Sequence, residues 1–519
     1  NIFVPSGLAT GVFEELPLGN FIKRFRDITR NDAGINGDAQ RIEQLTWMLF
    51  LKIYDDMEIE KELLNDDYES IIPEGFHWRE WANTANDKAL KGDELLDFVD
   101  NQLFPTLRNL QIHQGCSKFQ SVVKLVFEDI HNYMKDGVLI HQILQMINEC
   151  DFTDPEESHT FGTIYETILK GLQSAGSAGE YYTPRALTDF MAAHVNLKLG
   201  DTVADFACGT GGFLNSARKL LAPVAEEGTN EDRETLGTSF YGIEKKPLPY
   251  LLCVTNLLLN RVEVPNITHG NSLTRKVDDY TEADKFSVIL MNPPYGGAEK
   301  PEIQQNFPAQ MRSAETADLF MILIMTRLKA EGRAAVVVPD GFLFGTGNKA
   351  AIKERLLKRF NLHTVLRLPT SVFAPYTSIA TNVLFFDGVA TSDKTLEKDG
   401  AWATEKTWFY RMDMPEGYKA FSKTKPMLLE HMKPVDDWWN NRTEMEVDGF
   451  PKAKVFTLGE LQQLGFNFDQ CGFAKAEEEI LPPKELIAKY QAEREAHEAV
   501  LDKALAHILA LIENKEEQA

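Results

Sequence analysis

Asn292-Pro293-Pro294-Tyr295 is the stretch best equipped for chemistry. The asparagine offers a side-chain carbonyl, and each proline offers a C=O with no N–H of its own. Together they make a rigid, acceptor-rich turn able to grip a planar NH2 group, and Tyr295 adds a ring on which a heterocycle can stack. The apolar run Phe286-Ser-Val-Ile-Leu-Met291 leads into the turn. It reads as a buried parallel strand that stops where the prolines withdraw backbone donors. In an open α/β sheet, ligands bind beyond the carboxyl ends of the strands, where this turn falls. Four residues in isolation read more simply as a Pro-rich turn with a packing tyrosine. Their neighbours decide.

Those neighbours form a series of strands with chemistry at their ends. Thr202 to Leu214 reads as a short strand ending in Asp205, followed by a turn containing Gly209, Thr210, Gly211 and Gly212. The turn opens a helix that starts near Phe213 and runs towards Lys219. A lone Gly-x-Gly often serves only to reverse a chain, but strand before and helix after give it the right setting. Phe240 to Glu244 is a second strand ending in an acid, the position that bonds ribose hydroxyls in nucleotide-binding sheets. No Gly-x-Gly-x-x-Gly is present and no lysine follows the glycines, so the loop suits a nucleoside without phosphates better than NAD or ATP. A helix from Pro247 to about Asn260 and a third strand and turn, Ile267 to Leu273, come next; Asn271 there could read the cofactor's base. His269 reads as a structural loop residue. The Asn292 strand is fourth, and a loop rich in Gln and Pro leads to the helix Asp318–Lys329 and a strand over Ala334–Pro339. Alternating strands and helices imply a parallel, doubly wound sheet. Upstream, the small-residue loop 176–185 leads into a helix from about Ala186, with Thr183 as N-cap and Pro184 at the first helical position. Backbone N–H groups at that helix start, beside the Glu180 carboxylate, suit a zwitterion such as an amino acid.

A chain of 519 residues suggests two or three domains, and 43% hydrophobic with 25% charged residues is ordinary for a soluble globular protein. The longest apolar stretch, Leu319–Met325, is too short to span a bilayer. No secretory signal is visible, and a start on Asn1 suggests that a few residues precede it. Five scattered cysteines without a Cys-x-x-Cys fit a reducing cytoplasm and argue against a disulfide framework or a zinc site; no metal is expected. A formal charge of −24 argues against a protein that grips DNA over its whole surface, because phosphate neutralisation supplies most such affinity. Residues 1 to about 170 read as mostly helical; in the segment 38–54, Ile42, Leu45, Met48, Leu49, Leu51 and Ile53 fall near one face. Thr407–Arg411 alternates like an edge strand, and Trp438-Trp439 could mark either an interface or loop packing. Ile487, Tyr490, Leu501, Ala504, Ile508 and Leu511 fall on a 3-4 repeat, a long helix with a coiled-coil-like seam.

From about Gly179 to Phe386 the chain resembles the γ-type adenine-N6 DNA methyltransferases. More narrowly, it resembles the modification (HsdM) subunits of type I restriction–modification systems. The matching pieces run in family order: Glu180-Tyr-Tyr-Thr-Pro-Arg185, Ala207-Cys-Gly-Thr-Gly-Gly-Phe213, Gly242-Ile-Glu244, Gly270-Asn-Ser-Leu273, Asn292-Pro-Pro-Tyr295, Ala317-Asp-Leu-Phe320 and Val337-Val-Pro-Asp340. Leu362–Thr370 with Thr381–Phe386 looks like the HsdM signature in particular. Phe206 stands where the family usually has proline, which could alter the turn but removes no ligand.

The resemblance implies a Rossmann-like S-adenosylmethionine-dependent methyltransferase sheet over 171–390, with a helical domain over 1–170. It further implies a sheet extension and irregular linker over 391–473 and a partner-docking helical tail over 474–519. S-adenosyl-L-methionine would be the cofactor. Asp205 is expected near its methionyl amine, and Gly209, Thr210, Gly211, Gly212 and Phe213 in the loop it approaches. Glu244 is expected at the ribose, and Asn271, Ser272 and Asp318 near the adenine. Glu180, Tyr181, Tyr182, Thr183 and Pro184 would close over the methionine part. Asn292, Pro293, Pro294 and Tyr295 would hold a flipped target adenine, with Phe344 or Phe342 on its other face. In the family a specificity (HsdS) subunit reads double-stranded DNA in a complex with two modification subunits, and an HsdR subunit cuts and translocates. A borrowed DNA grip would explain the acidic charge. A self-contained adenine-N6 DNA methyltransferase remains an alternative, with an RNA or protein-glutamine methyltransferase, or a lapsed assembly subunit, behind it.

Overall fold

The computed structural model describes residues 19–85, 89–153, 155–171, 182–262, 265–389 and 401–472, with four further positions between 487 and 494. Glu180 and Tyr181 lie outside the described residues, as does nearly all of the expected C-terminal helix. The chain divides into a unit over Asn1–Gly472 and a second over Phe473–Ala519.

Ten strands form one sheet in the first unit. At one end β1 (Val203–Asp205), β2 (Phe240–Glu244), β3 (Asn266–His269), β4 (Phe286–Met291) and β5 (Leu328–Pro339) run parallel in the order β3-β2-β1-β4-β5. The order reverses at β1 and β4, which opens a crevice at their carboxyl ends. Beyond β5 the sheet departs from the all-parallel expectation. β6 (Phe360–Arg367) and β7 (Thr381–Gly388) change places, and β7 runs antiparallel to both β5 and β6. No crossover helix joins β6 to β7, so the chain returns directly, as an antiparallel pair permits.

β8 (Lys406–Arg411) pairs parallel to β6, but it is not an edge. The hairpin of β9 (Met445–Val447) and β10 (Phe450–Thr457) lies beyond it. The two tryptophans are packing residues. They sit on the helix Lys433–Asn440, with Trp438 against Tyr410 at 4.6 Å and Trp439 against Phe385 at 4.8 Å.

β4 shows how the sheet is held. Val288, Leu290, Ile289 and Met291 are all fully buried, the first two in one core and the other two in the opposite core, as a period of two dictates. The second core is closed by the helices Thr316–Arg327 and Asn348–Arg359. The first runs without a break into the N-terminal helices. The helix Asp38–Leu64 is buried nearly all round between Ile42 and Glu58, not on the single face its sequence pattern suggests. Its neighbours explain this: Trp47 packs on Phe104 and Phe127, and the helix also lies against Pro247–Leu259. Among the described residues, no helix is long and apolar enough to cross a membrane.

Candidate active site

A cavity of about 290 Å³ opens at the carboxyl ends of β1, β2 and β4. Its wall includes Glu244, Asn271, Ser272 and all four residues of the Asn292–Tyr295 turn. Asn292 Nδ2 donates to Thr183 Oγ1 at 3.3 Å, while Asn292 Oδ1 is buried with no hydrogen-bond partner. Leaving a buried acceptor unmatched costs about 1–3 kcal/mol, so the site favours an incoming donor. Pro293 adds a second carbonyl that no N–H of its own can compete for. Tyr295 meets Phe373 edge-on at 6.1 Å, and burial holds its phenol protonated well above the usual range.

The opposite part of the wall is polar and pre-set. Glu244 accepts the Gly209 N–H at 2.9 Å on one oxygen and the Lys246 N–H at 2.8 Å on the other. Two backbone donors thus fix the carboxylate at the end of β2. Gly209 and Gly211 have φ of 52° and 76°, left-handed conformations that a side chain would strain. Only Gly209 of the loop reaches the wall; Thr210 and Phe213 are buried beneath it, and Gly212 leaves room for the Arg185 guanidinium. Asn271 Oδ1 accepts the Leu273 N–H at 3.0 Å, and Ser272 Oγ donates to the Phe206 carbonyl at 2.6 Å. Phe206 itself lines the cavity and packs on Phe286, with Arg327 over its ring.

Several expected residues stand elsewhere. Asp318 is fully buried and does not reach the cavity; it takes Lys349 Nζ and Ser313 Oγ, each at 2.7 Å. Thr316 and Phe320 line the wall instead. They are one helical turn apart on one face, whereas Asp318 between them faces away. Phe342 is in the core and Phe344 is 54% exposed, and neither lines the cavity. Its further aromatic rings are Phe373 and Tyr376, from the segment between β6 and β7. The aromatic-proline sequence Phe373-Ala-Pro-Tyr376 was the available signal for them. Thr183 is not the N-cap: the helix is Arg185–Ala193 with Pro184 at its cap, and the Thr183 hydroxyl faces Asn292. Tyr182 is buried with Arg185 over its ring.

Asp205 lies behind the wall, 1% exposed, and accepts the Ala207 N–H at 3.1 Å. Burial, with the nearby Glu244 charge adding to it, pushes its carboxyl up to about 8. A carboxyl raised on folding contributes stability that is full at low pH and lost as pH rises through the folded value. From about pH 4 to 8, then, Asp205 should progressively destabilise the free protein. The Tm of wild type should fall more steeply over that window than the Tm of Asp205→Asn, as calorimetry across pH would read.

The chain is similar to known proteins over most of its length. Residues 156–480 match the N-6 DNA Methylase family and residues 18–147 the HsdM N-terminal domain. The methylase subunit of the type I restriction enzyme EcoEI from Escherichia coli is 45% identical over 92% of this chain and 95% of its own. A structure of a modification subunit assigned to a type I restriction enzyme of Vibrio vulnificus YJ016 is 40% identical, with TM-score 0.73 over 88% of this chain and 94% of that one. A chain from a solved type I restriction–modification assembly is 32% identical, with TM-score 0.76 over 95% and 98%. The protein belongs to the N-6 DNA methylases, as a modification subunit of the type I restriction–modification class.

Proposed function

We propose that the cavity binds S-adenosyl-L-methionine on its Glu244 side and a flipped adenine on its Asn292 side. The observation that carries this is the buried, unpartnered Oδ1 of Asn292 on the same wall as a carboxylate fixed by two backbone donors. When bound, the cofactor supplies an electrophilic methyl on a sulfonium. Glu244 takes the ribose hydroxyls, and Asn271 and Ser272 border the cofactor's adenine. Asn292 Oδ1 and the Pro293 carbonyl accept the two hydrogens of the target NH2. That removes the amine from conjugation with its ring and aims its lone pair at the methyl carbon. Positive charge growing on nitrogen strengthens both hydrogen bonds, so the transition state gains more than the ground state. Tyr295 and Phe373 stack around the flipped base. The N–CH3 bond would form as the S–CH3 bond breaks, leaving S-adenosylhomocysteine, and one amine proton would then pass to solvent; orientation supplies much of the rate.

The protein works with a specificity subunit that reads the DNA sequence, two modification subunits to one, and with the restriction subunit in the full complex. Tritiated methyl transfer to mixed-sequence duplex DNA by the modification complex tests the reading. Label recovered as N6-methyladenine supports it. Label on cytosine, or on RNA or protein in preference to DNA, would overturn it.

A further inference from the structure

Three elements meet behind the cavity wall around one cation. Arg185 Nε donates to Glu166 Oε2 at 2.6 Å and its Nη2 to Glu166 Oε1 at 3.2 Å, a paired arrangement that fixes the guanidinium plane. The same Nη2 donates to Thr210 Oγ1 at 3.0 Å, inside the glycine-rich loop. Asn256, fully buried on the helix Pro247–Leu259, donates to both Glu166 Oε1 at 3.1 Å and the Thr210 carbonyl at 3.0 Å. The loop is therefore held by its side chain through Arg185 and by its backbone through Asn256, and Glu166 joins the two. Gly212 belongs to this contact: a Cβ there would run into the Arg185 guanidinium. On its other side, Arg185 is two residues beyond Thr183, whose hydroxyl accepts from Asn292 Nδ2 and whose carbonyl accepts from Arg185 Nη1 at 3.3 Å.

We propose that Glu166, Arg185 and Asn256 form a clamp that positions the cofactor loop and, through the Thr183–Arg185 turn, the amide of Asn292. Neither Glu166 nor Asn256 lines the cavity, so both act through other residues. The inference rests on the site assignment above and adds residues to it. Glu166 lies on the helix Pro155–Lys170, which precedes the catalytic turn. A rigid-body shift of that helix would thus move cofactor loop and Asn292 together. Low dielectric strengthens such a network, and loss of one member leaves the others unmatched.

The two arms of the clamp separate in kinetics. Glu166→Gln keeps an acceptor for Asn256 but weakens the grip on Arg185. It should raise the dissociation constant for S-adenosylhomocysteine about tenfold, with kcat at saturating cofactor within about threefold, as expected for loss of one charge-assisted bond. Thr183→Val removes the acceptor facing Asn292 Nδ2. It should leave that constant within about twofold and lower kcat about tenfold, and Thr183→Ser should restore the rate. Titration calorimetry and methyl transfer with the assembled complex read both quantities. Wild-type cofactor affinity in Glu166→Gln, or equal losses in both quantities for Thr183→Val with no rescue by serine, would overturn the clamp. A wild-type complex that binds no S-adenosylhomocysteine would instead overturn the cofactor assignment.

Discussion

Asn292→Ala, assayed in the modification complex, should lower kcat by about 10²–10³-fold or more while S-adenosylhomocysteine affinity stays within about threefold. Both consequences follow from where Asn292 stands. Its Oδ1 is an unmatched acceptor on the cavity wall, and on the proposed reading alanine removes a bond to the target amine that strengthens only as the nitrogen becomes positive. The proposed cofactor side includes Glu244 and the Gly209 amide, which bond to each other. A loss confined to kcat is the signature of an interaction made in the transition state. Asn292→Asp keeps an acceptor oxygen but loses the Nδ2 bond to Thr183, and it should fall between alanine and wild type. Methylation by Asn292→Ala at the wild-type rate would sink the mechanism.

The second large effect concerns DNA. Alone, the protein should methylate duplex DNA at background. Adding its specificity subunit should raise the rate by about 10²-fold or more, because phosphate neutralisation governs affinity so steeply. With 54 Lys and Arg against 78 Asp and Glu, the chain as a whole repels the duplex. Lys245 and Lys246 put some positive charge on the cavity wall, but two lysines cannot offset that balance. On the proposed reading a partner supplies the grip, and the complex should lose activity with added salt in proportion to that partner's phosphate contacts. Robust methylation by the protein alone would mean a self-contained enzyme with its own base-reading element in residues 391–519.

The parts that were legible in sequence are those where local chemistry and strand periodicity agree. β1, β2 and β4 could be placed because each is a short apolar run ending in a residue with a polar task, Asp205, Glu244 or Asn292. Tertiary direction was not legible. Asp318 and Phe320 sit in the same four-residue motif, yet only the latter faces the cavity, because two positions along a helix point almost oppositely. Asp205 ends its strand as expected but turns its carboxyl into the Ala207 amide. Sequence places the second aromatic wall after β5, whereas Phe373 and Tyr376 of the cavity come from the return between β6 and β7, a connection that depends on the antiparallel insertion. The polar residues Glu166 and Asn256 were invisible for another reason. Each lies on a helix whose pattern looks like ordinary packing, and their partners are remote in sequence.

The unbroken core between the N-terminal helices and one face of the sheet constrains how such a protein can change over generations. The helix Pro247–Leu259 presents one surface to the sheet and another to Asp38–Leu64, and Tyr165 reaches across to donate to the Leu252 carbonyl. A chimera that took its helical region from one relative and its sheet from another would inherit two mismatched halves of one interior. Exchange of parts should therefore succeed only when the shared helix travels with its partners on both of its surfaces.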